Sequence, residues 1–418
     1  MQAAAILWHV SLLVDPGHKG IALGAVGLVR VVPIVVFSML SGVVADAWDR
    51  RRLMLITQAV AAVVAFALAL FTSLGGTSVW ILYALTALGS AVGAFDLPAR
   101  QALLPMLVPR DDLPNAISLN TIMVQAASIA GPGMGGLLIA SAGLFWVYLL
   151  NAISFGCVIA ALLMMRNVPA RAEDDDRSHV REGGAAAAPP KGGGAVSWRS
   201  ALEGLRFVFS APLIRSTMLL DFFATFFSSA VTLLPIFAQD VLHVGAQGYG
   251  WLYAAPAAGA VVMSAAMVVL TDRIERRGEV MLWAVGIYGL ATIGFGVSRS
   301  FWITFACLAL TGVADTVSMV IRSVVRQLET PDRLRGRMTG VNMVFFMGGP
   351  QLGEIEAGTV AQWLGAPISV ITGGIGCVLA TIWVALSTPE LRHYRTNPVP
   401  TIIAAPAVAQ APGQNAEP

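Results

Sequence analysis

The feature that most constrains this chain is a series of long apolar runs separated by short polar loops. A run of about 20 residues, rising 1.5 Å per residue as an α-helix, crosses a hydrocarbon core of about 30 Å. We therefore predict an all-α polytopic membrane protein with eleven full spans, near residues 21–45, 53–74, 79–104, 116–141, 144–166, 212–238, 248–271, 279–298, 301–326, 338–363 and 366–388.

Composition supports lipid as the solvent for most of this surface. The chain is 56% hydrophobic and 12% charged, whereas soluble proteins are about 25% charged. Its Lys and Arg residues lie in short loops between apolar runs, so no basic face for nucleic acid is expected. The three cysteines, Cys157, Cys307 and Cys377, lie within apolar runs without the paired spacing of a metal or disulfide site. With no phosphate-binding loop and five scattered histidines, we expect neither an enzyme nor a cofactor.

The first 14 residues are apolar but too short to span a bilayer, and they lack the basic start and cleavage site of a signal peptide. We interpret them as the outer half of a first helix that is incomplete in this chain. The complete design would then have twelve spans.

The loop charges predict the orientation. Basic residues concentrate in loops 49–52, 109–112, 272–277 and 332–337, whereas the alternate loops 75–78, 141–143 and 364–366 are nearly uncharged. Because short cytoplasmic loops carry an excess of Lys and Arg, we expect the basic loops to face the cytoplasm. We expect the protein to lie in the inner membrane of the cell.

The spans fall into two halves around a polar segment. Residues 167–199 are rich in Gly, Pro and acidic residues, a composition that cannot form a core and predicts a flexible cytoplasmic linker. The N-terminal half is then 1–166 and the C-terminal half 200–388, with a disordered cytoplasmic tail over 389–418. Residues 198–210 could form a short interfacial helix.

The two halves resemble each other in sequence. Four positions of the first half recur 222 residues later with the same amino acid: Arg100 and Arg322, Pro109 and Pro331, Asn120 and Asn342, and Gly131 and Gly353. These pairs fall in corresponding loops and spans, which favours six spans repeated in parallel.

The loop 42–52, with the sequence GVVADAWDRRR, resembles the motif between the second and third helices of the major facilitator superfamily. The resemblance implies that Gly42 allows close helix packing and that Asp46, Arg50 and Arg51 belong to a charge relay that closes the cytoplasmic side. Asp272 and Arg273 occupy the corresponding place in the second half.

Two further stretches refine the resemblance. Residues 131–136, GPGMGG, are similar to the antiporter motif of exporters in this superfamily, carried here by Gly131, Pro132, Gly135 and Gly136; proline and glycine let a helix bend and pack closely. A plain helix-packing motif is the alternative interpretation. The stretches FDLPARQALLP at 95–105, PNAI at 114–117 and DVLHVGA at 240–246 resemble the branch that contains the enterobactin exporter and related secretion proteins. Export of a siderophore-like or drug-like molecule is what this resemblance implies.

Ionisable side chains within the apolar runs are the main functional candidates. Each costs at least about 2.5 kcal/mol to place in hydrocarbon and therefore needs a cavity or a partner. The candidates are Arg30, Asp96, Arg100, Asp221, Asp315, Arg322, Glu354 and Glu356.

Some of these candidates can pair. Asp96 and Arg100 lie four residues apart on one helical face, where an ion pair can form, and Arg322, like Arg100, lies near the cytoplasmic end of its span. For these residues we favour packing or gating ion pairs over contact with a ligand.

Others have no partner in their own helix. A carboxyl group at Asp221 or Glu354 would bind a proton more readily than in water, as a proton carrier requires. Glu356 lies on a different face of the helix from Glu354, so only one of the two is expected to line a cavity. Arg30 could neutralise an anionic substrate or pair with Asp221 or Glu354 across helices.

We therefore predict a monomeric secondary exporter that exchanges a small molecule for protons by alternating access, with the proton gradient as its energy source. Two alternatives remain open: an importer or facilitator of the same fold, and a sensor or assembly subunit that transports nothing.

Overall fold

The computed structural model describes residues 1–47, 49–109, 112–165, 205–227, 229–270, 273–331 and 334–395. This part of the chain consists of helices, turns and irregular connections, without a strand. The N-terminal half contains α1 (Gln2–Leu13), α2 (Lys19–Ala47), α3 (Arg50–Ser73), α4 (Val79–Leu107), α5 (Leu113–Ser141) and α6 (Leu144–Met164). The C-terminal half contains α7 (Pro212–Phe227), α8 (Gly245–Leu270), α9 (Arg277–Val297), α10 (Phe301–Glu329), α11 (Arg335–Leu364) and α12 (Ala366–Ser387), followed by the short α13 (Pro389–Arg392).

The bundle agrees with the predicted all-α membrane fold. By length and composition, ten helices in the described part of the chain can cross a membrane, and Gln2–Leu13 is a shorter apolar helix. The inner end of the bundle is the end that carries the basic loops, and the outer end is the opposite end. Exposed tryptophans lie at the outer ends of three helices, where an aromatic belt is expected: Trp80 on α4, Trp302 on α10 and Trp363 on α11.

The internal repeat is visible in the helix boundaries. α4 and α10 each have 29 residues and begin 222 positions apart, and α5 and α11 begin with the same offset. The turns that follow α5 and α11 contain Gly143 and Gly365, both with a φ of +88°. Side chains rarely adopt this left-handed conformation, so both halves use glycine at the same turn.

Glycine backbones join the two halves. The main contacts between the halves are those of α2 with α11 and of α5 with α8. A Cβ atom added to Gly358 of α11 would lie 2.6 Å from the Cα of Gly24, and one added to Gly136 of α5 would lie 2.5 Å from the Cα of Gly250. Such pairs let helices in a membrane approach to backbone contact. Since all four glycines lie near the outer ends of their helices, the structure is closed on its outer side.

The outer end of α7 is irregular. The segment that follows Phe227 contains a 3₁₀ turn at Ala230–Leu233 and a π-helical turn at Phe237–Val241. Wide turns of this kind are frequent at functional sites because they redirect side chains. Here the π turn places Gln239 and Asp240 beside the N-terminal half.

The start of the tail differs from the prediction. Disorder was expected from Pro389, but Pro389–Arg392 forms a helix in which Leu391 is fully buried. The backbone of Leu391 lies against Gly278 at the start of α9, with no room there for a side chain, and the amide of Gly278 donates to the carbonyl of Tyr394. Leu391 supplies an apolar anchor in a stretch otherwise rich in Pro and Ala, which explains the difference. The predicted linker 167–199 and tail residues 396–418 lie outside the described residues.

Candidate functional site

One ion pair joins the two halves at the middle of the bundle. Arg30 of α2 and Glu354 of α11 approach to 3.9 Å between Nη1 and Oε1, and their side chains are 17% and 14% exposed. The other terminal nitrogen of Arg30 donates weakly, at 3.4 Å, to the carbonyl of Ala3. Of the two partners suggested for Arg30 from the sequence, the structure selects Glu354. The contact is long, so this guanidinium group is only partly satisfied by the protein.

The predicted ion pair on α4 is present. Arg100 Nη2 lies 2.7 Å from Asp96 Oδ2, and the other carboxylate oxygen of Asp96 accepts hydrogen bonds from Thr57 and Gln58 of α3. Asp96 therefore ties α4 to α3, whereas the side chain of Arg100 is 57% exposed. This geometry fits a packing contact within the N-terminal half.

A second charged cluster lies inside the C-terminal half. Arg322 of α10 contacts two carboxylates, Asp221 of α7 at 2.9 Å and Asp315 of its own helix at 3.5 Å. The side chains of Arg322 and Asp221 are 3% and 5% exposed. Asp221 and Arg322 thus form a buried ion pair between helices, a partnership that the sequence alone did not reveal.

Glu356 is separate from these clusters. It lies two residues after Glu354 and is half-buried, and the expectation that only one of the two acidic residues lines a cavity stays a prediction.

The predicted gating loop is only partly described. Gly42 and Asp46 lie in α2, but their surroundings are outside what the structure describes. Asp272 lies outside the described residues, and Arg273 is exposed. Asp49 caps α3 by accepting a hydrogen bond from the amide of Arg52. Arg51 donates to the carbonyls of Leu162 and Leu163, so it ties the start of α3 to the end of α6. Arg50 is half-buried at the start of α3.

The GPGMGG stretch lies on the interface between the halves. Besides the contact of Gly136 with Gly250, the carbonyl of Pro132 lies 2.8 Å from the place of a Cβ on Gly250. Gly131 and Gly135 face Met1, the residue that precedes α1. The helix-packing role of the motif is therefore visible in the closed outer interface.

Sequence reasoning missed a polar cluster at the outer end, which we name the outer cluster: Lys19, Ser11, Gln239 and Asp240. Lys19 Nζ donates to Gln239 at 2.9 Å and forms an ion pair with Asp240 at 3.1 Å, and Gln239 donates to Ser11 at 2.8 Å. Its only sequence signal is a lysine placed directly before an apolar run.

Two of the cavities lie beside candidate residues predicted from the sequence. One of about 270 Å³ lies in the N-terminal half and is bordered by Gln2, Arg30, Thr86 and Ser90. The other, of about 110 Å³, lies within the C-terminal half, and its polar wall contains Tyr288, Thr292, Thr311 and Asp315.

Comparison with known proteins places this geometry in a family. A family model described as transmembrane secretion effector matches residues 1–411. The chain belongs to this family. The enterobactin exporter EntS of Escherichia coli is 27% identical over 360 residues, which are 86% of this chain and 82% of the relative. These findings confirm the resemblance seen in the motifs and establish this family member as a multi-pass membrane transporter.

Solved structures show the same fold. The nucleoside transporter NupG aligns with a TM-score of 0.66 and 14% identity, over 94% of this chain and 97% of that one. A bacterial homologue of the human lysosomal transporter Spinster, inward-facing and unoccupied, aligns with a TM-score of 0.67 and 16% identity, over 94% and 96%. The architecture is that of the major facilitator transporters.

Proposed function

We propose that this transporter exports a siderophore-like or drug-like small molecule across the inner membrane in exchange for protons, by alternating opening of the interface between its halves. The observation that carries the proposal is the Arg30–Glu354 pair, the ion pair that links α2 to α11 beside the closed glycine contacts. The similarity to an enterobactin exporter supports the direction and the substrate class.

The position of this pair suits a transport cycle. Opening the outer side must separate Gly24 from Gly358, and Arg30 and Glu354 lie on the same two helices, one to two turns deeper. Separation breaks the ion pair and admits water, which solvates the two charges. At 3.9 Å the two charges attract each other in the outer-closed state, and hydration of the separated charges offsets the loss of this attraction. Arg30 is also exposed to an anionic or polar group of a substrate when Glu354 moves away.

The aromatic side chains of α7 and α11 support a substrate with an apolar body. Phe222 stacks on Phe226 at 5.7 Å between ring centroids and meets Phe345 edge-on at 6.0 Å. Phe222 and Phe226 belong to α7, and Phe345 belongs to α11, the helix that also carries Glu354; all three rings are half-buried. Aromatic surfaces of this kind bind flat apolar molecules through stacking.

The experiment is efflux of enterobactin and of ethidium from loaded proteoliposomes, with a proton concentration higher outside than inside. We expect the gradient to accelerate efflux, and we expect Glu354→Gln to reduce it strongly. The substitution leaves Arg30 without its counter-ion in the outer-closed state, and removal of one partner of a buried pair costs about 3–5 kcal/mol. Glu356→Gln, on the same helix but outside the pair, is the matched control and should retain efflux.

Three outcomes would contradict parts of the proposal. Efflux that ignores the gradient would identify a facilitator. Absence of flux with both substrates would contradict the substrate class. Equal loss of efflux in Glu354→Gln and Glu356→Gln would show that the ion pair has no special part in the cycle.

A further inference from the structure

In the charged cluster of the C-terminal half, Arg322 contacts its two carboxylate partners unequally. Arg322 uses one terminal nitrogen for Asp221 and the other for Asp315, at 2.9 and 3.5 Å. Asp221 is 5% exposed, whereas the side chain of Asp315 is 48% exposed. The two carboxylates thus share one guanidinium group, and Asp315 has both the weaker contact and the better access to water.

The neighbouring charges reinforce this difference. Arg326, one turn further along α10, adds a second positive charge that interacts electrostatically with Asp221, whose ion-pair partner is Arg322. On α9, Tyr288 lines the same cavity as Asp315 and interacts electrostatically with Asp315, Asp221 and Cys377 of α12. Among the charged side chains that the structure describes around it, Asp315 therefore depends on Arg322 alone.

A cavity with a partly polar wall borders the same carboxyl group. The cavity of about 110 Å³ is bordered by Asp315 together with Thr311, Thr292 and Tyr288. A water molecule needs about 10–15 Å³ of such volume and two or more polar partners, so several waters fit. These waters can bring a proton to Asp315 within an otherwise apolar bundle.

A buried hydroxyl group lies one turn along α10 from Asp315. Ser318 is 1% exposed, and its Oγ has no hydrogen-bond partner among the described residues. It lies one turn after Asp315 and one turn before Arg322, on the same face of α10. A carboxylate and a hydroxyl can each accept a hydrogen bond, but only a protonated carboxyl group can donate one to the hydroxyl oxygen. A serine hydroxyl can also donate to a carboxylate, so Ser318 is a polar neighbour that can pair with Asp315 in either protonation state.

We propose that Asp315 is the group that binds the transported proton, at a site separate from the Arg30–Glu354 pair. This inference rests on the proposed proton antiport. A proton from cavity water forms an O–H bond with Asp315, the ionic contact with Arg322 Nη2 is lost, and Asp221 keeps Arg322. Release of the proton to water on the other side restores the contact. The change leaves Arg322 paired with Asp221 alone, so the Asp221–Arg322 pair between α7 and α10 stays closed.

The test compares wild type with Asp315→Asn, Asp315→Glu and the control Glu356→Gln in proteoliposomes. Two fluxes of labelled enterobactin are measured: exchange without a gradient, and efflux driven by a proton gradient. Asp315→Asn should keep exchange and lose the acceleration by the gradient, because it cannot release a proton. Asp315→Glu and Glu356→Gln should keep both. Asp315→Asn efflux that responds to the gradient as wild type does would overturn the assignment. Loss of exchange by a stably folded Asp315→Asn protein would place Asp315 in substrate binding and would also overturn it.

Infrared difference spectroscopy on the purified proteins tests the site without a substrate. Acidification protonates carboxyl groups in every variant, so the spectrum of Asp315→Asn is the background; subtracting it should leave one further protonated-carboxyl band in wild type and in Asp315→Glu. Absence of this further band from wild type would overturn the assignment. Absence of flux in wild type together with a band specific to Asp315 would refute the proposed function while leaving the proton site in place.

Discussion

Substitution of Gly358 by alanine tests whether backbone contact between α2 and α11 holds the outer side closed. The new methyl group would lie 2.5 Å from the carbonyl oxygen of Gly20 and 2.6 and 2.8 Å from the Cα and N atoms of Gly24. All three are backbone atoms, so no side-chain rotation can relieve the overlap. Since carbon atoms prefer separations of about 3.5–4.0 Å, the helices would have to move about 1 Å apart.

The expected magnitude follows from this overlap. Overpacking of a well-packed contact costs about 1–3 kcal/mol. The cost falls on the outer-closed state alone, because Gly358 and Gly24 separate when the outer side opens. The ratio of outer-open to outer-closed molecules should therefore rise by about 5- to 150-fold.

Spin-label distances report this ratio directly. Labels at Thr77 and Arg299, exposed in outer loops of opposite halves, should show a larger long-distance population in Gly358→Ala than in wild type. The control is Gly348→Ala on the same helix, where an added Cβ meets nothing within 4 Å. Wild-type distances in Gly358→Ala, or an equal shift in Gly348→Ala, would refute the reasoning.

Two further substitutions test the ion pairs. Arg322→Ala leaves Asp221 buried without its ion-pair partner and should lower the free energy of unfolding by about 3–5 kcal/mol, measured as a fall in melting temperature in detergent. The control is Arg100→Ala: the side chain of Arg100 is 57% exposed, so its removal should lower the free energy of unfolding by at most about 1 kcal/mol. Equal effects of the two substitutions would contradict the buried position of Arg322. Lys19→Gln removes the ion pair with Asp240, whose side chain is 48% exposed, and should weaken outer closure by about 1 kcal/mol or less. The same spin-label distances measure the outer-open population. An unchanged outer-open population would show that the outer cluster does not contribute to closure.

The sequence contained most of the information on architecture. Span positions follow from local hydrophobicity, because a run such as 144–166 must cross the apolar core whatever its neighbours do. The structure places α6 at Leu144–Met164 and α12 at Ala366–Ser387, close to the predicted 144–166 and 366–388. The repeat was visible because identical residues, such as Arg100 and Arg322, recur 222 positions apart in corresponding spans.

The tail and the outer cluster were harder to predict. Leu391 is one apolar residue in a polar stretch, and its burial depends on a groove formed by α9, more than a hundred residues earlier in the chain. Lys19 looked like an ordinary residue before a span, because its partners Gln239 and Asp240 are brought to it by the closed interface and by the π turn after α7.

The sequence by itself determined which residues needed partners, since the cost of a charge in hydrocarbon is a property of one side chain and its surroundings. It thereby singled out Arg30, Asp221, Arg322 and Glu354. Only the tertiary structure decided the partnerships, Arg30 with Glu354 across the halves and Asp221 with Arg322 within one half. The physical reason is range: hydrophobicity acts residue by residue along the chain, whereas an ion pair depends on distances of a few ångströms that helix packing alone establishes.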